Sequence, residues 1–155
     1  MMATDSHWSE AERHVAELLA SEVPEIASGI IEVRALARTA GVRTKVAVSS
    51  NDPTRDPVRV CVGVDEVHIH RLSTLLDGEL IDVVPWRDDP IRRVRMAVAP
   101  ANIARLELDE RQAIAHVTLR DDETARALVA DLAHREIADR FAGWQLDLTI
   151  EHATA

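Results

Sequence analysis

The chain has 155 residues with 46% apolar content, enough for one domain or two small ones with real cores. It carries 27 acidic and 18 basic side chains, a formal charge of −9. This acidic balance disfavours a strong nucleic-acid-binding protein, because neutralisation of phosphates by cationic side chains supplies most of such affinity.

The sequence of the first half of the chain predicts one helix, a hairpin, two short helices and a strand. Ser9-Glu10-Ala11-Glu12 is a capping box, followed by apolar residues at helical spacing, so we expect a helix over residues 9–21. From Ile31 apolar residues alternate with polar ones, and a second apolar run follows the turn at Ala40-Gly41, which predicts a β-hairpin. The later elements predicted are helices at 58–62 and 66–76 and a strand from Leu80 to Val84.

The second half repeats this order. The predicted elements are a helix from Pro90 to Val98, strands at Ile103–Leu108 and Ala113–Leu119 around a turn at Asp109-Glu110, helices from Asp121-Asp122 to Leu128 and from His134 to Phe141, and a strand at Trp144–Ile150. Ile81-Asp82-Val83 in the first half recurs as Leu146-Asp147-Leu148 in the second. We therefore predict an α/β (α+β) chain of two units, residues 1–86 and 87–155, each a three-stranded sheet packed by helices.

Several ungapped stretches resemble the tandem KH region of the NusA family of transcription factors. They are Glu22-Val23-Pro24-Glu25-Ile26, Arg43-Thr44-Lys45-Val46-Ala47-Val48, Ser50-Asn51-Asp52-Pro53, Asp56-Pro57-Val58, Cys61-Val62-Gly63, Ile81-Asp82-Val83, Ala99-Pro100-Ala101 and Gly143-Trp144. The resemblance extends over residues 22–151 and includes neither the polymerase-binding domain nor the oligonucleotide-barrel domain of that family. It implies two tandem type II KH units in a standalone protein related to RNA-binding elongation and antitermination factors.

In that family each KH unit holds about four nucleotides through a Gly-x-x-Gly loop. The first loop here reads Gly63-Val64-Asp65-Glu66, with the second glycine replaced and two acids where phosphates would lie. The second loop reads Val129-Ala130-Asp131-Leu132 and has neither glycine. A carboxylate ~6 Å from a phosphate costs about 0.7 kcal/mol in water and more when the contact is desolvated. The resemblance implies candidate RNA contacts at the first loop, Arg59, His68 and Arg71, and we expect that contact to be weakened or lost.

Two explanations of the altered loops remain open. In one, Asp65 and Glu66 open a helix whose dipole favours them by roughly 0.3–1 kcal/mol, and Val129 and Leu132 continue one apolar helical face that closes the groove. This favours an adaptor that kept the KH fold and docks on polymerase, ribosome or another protein. In the other, a basic strip keeps RNA contact. Its arginines are Arg59, Arg71, Arg92, Arg93 and Arg95.

The other candidate sites carry weaker signals. His68 and His70 are candidate zinc ligands, because histidine commonly binds zinc in proteins. Residues two positions apart on a helix point in different directions, so exposed histidines or residual phosphate contacts are favoured over a zinc site. Trp86 and Trp144 are expected to pack helices against strands rather than to stack bases. No catalytic triad, phosphate loop or dinucleotide motif occurs, so we expect no enzyme activity, metal or cofactor.

Cysteine usage and hydropathy suggest the compartment. Cys61 is the single cysteine, which excludes an internal disulfide and a cysteine-rich zinc site and favours a reducing cytoplasm. Its apolar neighbours favour a buried thiol over a nucleophile. The polar start from Met1 to Glu10 does not resemble a secretory signal, and no apolar run approaches the ~20 residues that span a bilayer. We expect a cytoplasmic protein without membrane contact and of undetermined oligomeric state.

Overall fold

The computed structural model describes residues 8–152, so most of the polar start considered above, residues 1–7, lies outside the described residues, as do residues 153–155. Two units meet in the sequence between Trp86 and Arg87. Within residues 8–152, no helix is long and apolar enough to cross a lipid bilayer.

In the first unit, a three-stranded sheet is covered on one face by helices. Its elements are α1 (Glu10–Glu22), α2 (Pro24–Ala27), β1 (Ile31–Thr39), β2 (Arg43–Ser50), α3 (Pro57–Val62), α4 (Val67–Leu75) and β3 (Leu80–Pro85). The central strand β2 pairs antiparallel with β1 and parallel with β3. At the start of α1, the Glu12 amide donates to Ser9 Oγ at 3.1 Å and the Ser9 amide donates to Glu12 Oε1 at 2.9 Å. The predicted capping box is therefore confirmed.

The apolar face of this sheet and the helices above it form the core of the first unit. Its buried residues include Val15, Leu19, Val23, Ile31, Val33, Val46, Val48, Cys61, Leu72 and Ile81. They recur at helical spacing on α1 and at alternate positions on the strands, so the burial of one face follows from the sequence pattern.

A buried carboxylate ties the β1–β2 hairpin to its neighbours. Glu79, which is fully buried, accepts hydrogen bonds from Arg38 Nε at 3.0 Å, from the Gly41 amide at 2.9 Å and from Thr44 Oγ1 at 2.5 Å. Burial raises the pKa of Glu79, but these hydrogen bonds outweigh it and hold the pKa below the ordinary value. Arg38 Nη1 also donates to the Ala11 carbonyl at 2.7 Å, which connects the hairpin to α1.

The second unit repeats the mixed sheet. Its elements are α5 (Pro90–Val98), β4 (Ile103–Asp109), β5 (Ile114–Leu119), α6 (Glu123–Ala130), α7 (Leu132–Ala142) and β6 (Gln145–Ile150). β5 is central, antiparallel to β4 and parallel to β6. The predicted fold class, two α/β units with one three-stranded sheet each, is therefore confirmed. The hairpin turn is longer than predicted and covers residues 110–113, because Asp109 Oδ1 accepts from the Arg111 and Gln112 amides at 3.1 and 3.2 Å.

Candidate nucleic-acid interface

The first loop joins α3 to α4 through a single 3-10 turn, Val64–Glu66. Asp65 (φ 53°, ψ 30°) and Glu66 (φ 59°, ψ 27°) both have left-handed backbone conformations. Such conformations cost an L-residue roughly 1–2 kcal/mol. These acids form the turn that leads into α4, which begins at Val67, and Glu66 is its N-cap residue without a side-chain capping hydrogen bond.

Gly63 is required by local packing. Its backbone (φ 83°, ψ 165°) is nearly restricted to glycine. A β-carbon there would lie 2.6 Å from His68 Cδ2 and 2.9 Å from Val67 Cγ1. The glycine thus has a structural explanation that is independent of any phosphate contact.

Glu22, the last residue of α1, contacts two of the three side chains expected to touch RNA beside the first loop. Its Oε1 accepts hydrogen bonds from His68 Nδ1 at 2.8 Å and from Arg71 Nη1 at 3.1 Å. The bond from His68, together with the charge of Arg71, holds the pKa of Glu22 below its usual value. We call Glu22, His68 and Arg71 the Glu22 cluster. Within it, Arg71 already has a carboxylate partner, which reduces its attraction for a phosphate.

The remaining charges at the first loop are mostly negative. Among the described residues, neither Asp65 nor Glu66 takes part in an ion pair. Arg59 on α3 is exposed and, in the same part of the chain, also has no ion-pair partner. The loop therefore presents two carboxylates against one available guanidinium.

Two depressions flank the loop. The first, which we call the valine groove, has a volume of about 740 Å³ and mostly apolar walls. Its walls are formed by Val58, Val60, Val62 and Val64, together with Glu25, Arg59, Gly63, Asp65 and His68. The second depression, about 380 Å³, lies beside α4 and β3 and includes His70 and the Arg43–Asp82 ion pair. Val64 is 83% exposed, which is unusual for a large apolar side chain and places it at the rim of the first depression.

The second loop is a break between two helices. α6 ends at Ala130 and α7 begins at Leu132, with Asp131 extended between them (φ −99°, ψ 102°). Asp131 Oδ1 accepts from the His134 amide at 3.2 Å and so caps α7, which starts two residues before the predicted position. The prediction that Val129 and Leu132 continue one apolar helical face is therefore wrong, and Leu132 is 59% exposed.

The arginines proposed as a basic strip have different environments within their own units. Arg92 and Arg95 are exposed on α5, whereas Arg93 Nη2 donates to the Phe141 carbonyl at 3.4 Å. Arg71 belongs to the Glu22 cluster. Of the strip candidates in the second unit, Arg92 and Arg95 on α5 are therefore the ones exposed to an anion.

The structure also shows the environments of the cysteine, a tryptophan and a histidine that the sequence raised as candidate site residues. Burial raises the pKa of Cys61 to about 12, which confirms the predicted buried thiol. The Arg34 guanidinium lies 5.2 Å from the centroid of the Trp86 ring, a contact that sequence reasoning missed because no local pattern links the two positions. His70 is exposed on α4, and among residues 8–152 no group of three metal-ligating side chains comes together.

Comparison with known proteins places these features in a family context. A family model described as the NusA-like first KH domain matches residues 9–86. The chain is 36% identical over 135 residues to the transcription termination/antitermination protein NusA of Thermus thermophilus, covering 87% of this chain and 35% of that protein. It is 32% identical over 130 residues to the protein of the same description from Halalkalibacterium halodurans, with coverages of 84% and 34%. The chain spans about a third of the length of these curated relatives.

A solved structure shows the same fold. The crystal structure of APE1850 aligns with a TM-score of 0.61, covering 93% of this chain and 100% of that chain. The sequence identity is 16%, so the likeness is one of fold alone.

Proposed function

This chain belongs to the NusA-like KH family, and on that basis we propose that it is an RNA-contacting module of transcription elongation or antitermination whose first-loop contact with RNA is weakened. Residues 1–86 and 87–155 are proposed as its two domains. The observation that carries the weakening is the Glu22 cluster, in which one carboxylate bonds both His68 and Arg71.

The charge balance at the first loop gives the size of the effect. Among the described residues Asp65 and Glu66 have no ion-pair partner, so a phosphate at the loop meets both carboxylates, with Arg59 in attraction. Two carboxylates ~6 Å away disfavour the contact by about 1.4 kcal/mol in water, which is a factor of roughly ten in affinity. The loss is larger where the contact excludes water.

Some attraction for phosphate remains at the start of α4. The first amides of this helix have no side-chain cap, and an uncapped helix amino-terminus attracts anions. This residual attraction supports weak binding rather than a complete loss of it.

The test is RNA binding by fluorescence anisotropy with labelled, pooled single-stranded RNA at 50 and 200 mM salt, values on the order of those that resolve the salt dependence. The wild-type chain is expected to bind weakly. The double variant Asp65→Lys/Glu66→Gly is expected to bind roughly 10- to 100-fold more tightly and with a steeper salt dependence.

A control with the same change in net charge separates the loop from a general charge effect. Asp77→Lys/Glu110→Gly alters exposed turn residues outside the first loop. An equal gain in this control would contradict the role assigned to the loop. Absence of RNA binding by every variant at low salt would remove the RNA function.

A second candidate function, a protein-interaction adaptor, is supported by a separate observation. Val64 is 83% exposed at the rim of the valine groove, beside the two acids. An exposed valine beside a mostly apolar groove offers an apolar contact to a protein partner, whereas a phosphate backbone gains nothing from it.

A further inference from the structure

We infer that α5 is a phosphate-binding surface, on which the guanidinium groups of Arg92 and Arg95 hold the backbone of single-stranded RNA. This inference rests on the RNA-contacting function proposed above and deepens it, because it names a surface that keeps the contact where the first loop weakens it. Contacts to the backbone carry no sequence information, so we expect this binding to be independent of base sequence.

The charge of α5 is opposite to that of the helix that leads the first unit. Between Pro90 and Val98, α5 has three arginines and no acidic residue. The corresponding helix α1 has four glutamates, one arginine and one histidine. Because the two units repeat the same element order, a leading helix in this fold has no structural need for positive charge, and the arginines of α5 need a separate explanation.

Arg92 and Arg95 are the α5 cations available to an anion. Both are exposed, and among residues 8–152 neither takes part in an ion pair or a side-chain hydrogen bond. Arg93 differs, since it donates to the Phe141 carbonyl at 3.4 Å. Residues three positions apart on a helix have Cβ atoms about 5–6 Å apart. Both guanidinium groups can therefore reach one phosphate or two consecutive phosphates.

The acids nearest to this pair in the sequence lie at one end of it. Asp88 and Asp89 precede α5, and the Asp89 carboxylate caps the helix. Arg95 follows Asp89 by about 9 Å along the helix axis, at 1.5 Å per residue, which is close to the screening length in ~0.1 M salt. On α7, which packs against α5, the Asp139 carboxylate accepts from a backbone amide of β6 at 3.0 Å. The positive potential is therefore highest around Arg95.

The arginine pair is unfavourable to α5 without a bound anion. Arg92 is the third residue of the helix, and a cation in the first turn opposes the helix dipole. Like charges three positions apart on a helix also repel each other. A phosphate between the two guanidinium groups removes this repulsion, and its own charge is favoured near the helix amino-terminus. A bound phosphate therefore reverses two unfavourable interactions.

The same face favours RNA over a protein. Ile91, 45% exposed, is the one large apolar side chain that α5 exposes, and it offers little of the apolar core typical of protein interfaces. A second copy of the chain is not complementary through α1, where Arg13 and His14 lie between the exposed Glu10 and Glu17. An RNA strand carries a phosphate at every nucleotide, so it can use both guanidinium groups without an apolar contact.

The test is an anisotropy titration of the full chain with labelled, pooled single-stranded RNA at several salt concentrations from about 50 mM upward. It is made in wild type and in the Asp65→Lys/Glu66→Gly background, which is expected to bind RNA more tightly. In both, Arg92→Gln/Arg95→Gln is expected to weaken binding at least roughly tenfold at the lowest salt. The slope of log K against log salt should fall by about 1.4, or about 0.7 for each cation removed.

A control variant makes the same change in net charge in the same unit. Arg105 and Arg111 are exposed in the β4–β5 hairpin, and among the described residues neither has an ion-pair partner. Arg105→Gln/Arg111→Gln is expected to keep the RNA affinity within about twofold, because these side chains are not on α5. A labelled oligoglutamate peptide, which represents an acidic protein segment, is expected to bind at least about tenfold more weakly than RNA.

The inference is overturned if RNA binds and Arg92→Gln/Arg95→Gln leaves its affinity unchanged, if the control variant loses as much affinity, or if the oligoglutamate peptide binds as tightly as RNA. In each of these outcomes RNA binding remains, and the proposed function stands. Absence of RNA binding by every variant at low salt removes the proposed function and this inference together. Peptide binding in that case would assign α5 to an acidic protein partner.

Discussion

Glu22 at the end of α1 and His68 at the start of α4 are joined by a 2.8 Å hydrogen bond although 46 positions separate them in the sequence. The same carboxylate also accepts a hydrogen bond from Arg71, so one acid outside the loop bonds two side chains that follow the loop. A change at Glu22 should therefore alter RNA affinity without altering the loop.

Replacing Glu22 with glutamine is expected to raise RNA affinity about 3- to 10-fold, because glutamine keeps a hydrogen-bond acceptor and removes the charge that neutralises Arg71. The slope of log K against log salt should steepen by about 0.7 for each cation made available. Anisotropy titrations with single-stranded RNA at several salt concentrations measure both quantities. Glu17→Gln, at an exposed glutamate of the same helix, is the control. Equal affinities for the two variants would contradict the role of the Glu22 cluster.

Replacing Gly63 with alanine is expected to lower the free energy of unfolding by about 1–3 kcal/mol through strain and steric overlap. The added β-carbon meets His68 and Val67 at less than 3.0 Å. Gly29→Ala is the matched variant, since Gly29 has a similar φ of 86° and a β-carbon added there would have no atom within 4 Å. Urea denaturation should show the larger loss for Gly63→Ala. Equal losses would mean that only backbone strain matters at Gly63.

Replacing Glu66 with glycine is expected to raise the free energy of unfolding by about 0.5–1 kcal/mol, because glycine adopts the left-handed conformation without a β-carbon penalty. The measurement is urea denaturation at moderate salt, which screens the favourable effect of the charge near the start of α4. Glu17→Gly within α1 should instead destabilise the chain by about 1 kcal/mol. A loss of stability in both variants would exclude strain at Glu66.

Lys45, the only lysine, gives a pH-dependent prediction. It is 1% exposed on the central strand β2, and burial lowers its pKa from 10.5 to about 8, with Asp82 opposing part of the shift. The folded chain therefore loses this proton at lower pH than the unfolded chain. Stability from this group is greatest above pH 10.5 and is lost as the pH falls through about 8.

Lys45→Met is thus expected to be more stable than wild type at pH 7, on the order of 1 kcal/mol, and this advantage should shrink at about pH 9.5. Urea denaturation of both proteins at the two pH values tests this. Both proteins contain Cys61, so the effect of its raised pKa on the free energy of unfolding is the same in each and cancels in the comparison. Arg59→Met, at an exposed arginine that stays charged, should show a difference from wild type that does not vary with pH. An advantage of Lys45→Met that is independent of pH would exclude a depressed lysine pKa.

Prediction from sequence succeeded where the determining contacts are close along the chain. The capping box needs only Ser9 and Glu12, three positions apart, and the helix from Pro90 to Val98 begins at a proline that follows a capping aspartate. It failed at the second loop, where apolar residues on both sides suggested one helical face. Asp131 ends α6 and caps α7. Whether this cap or a continuous apolar helix would form at the second loop depends on how both helices pack, which the local sequence does not specify.

The sequence by itself determined the two α/β units, their element order and the loss of glycines from both loops, because helix and strand periodicity and residue identity are local properties. Only the tertiary structure decided that Glu22 pairs with His68 and Arg71 and that Asp65 and Glu66 have left-handed backbones. It also decided that four valines border one groove. Each of these depends on where the buried core places α1 and α4 on the same sheet, and that placement is set by packing contacts between distant segments.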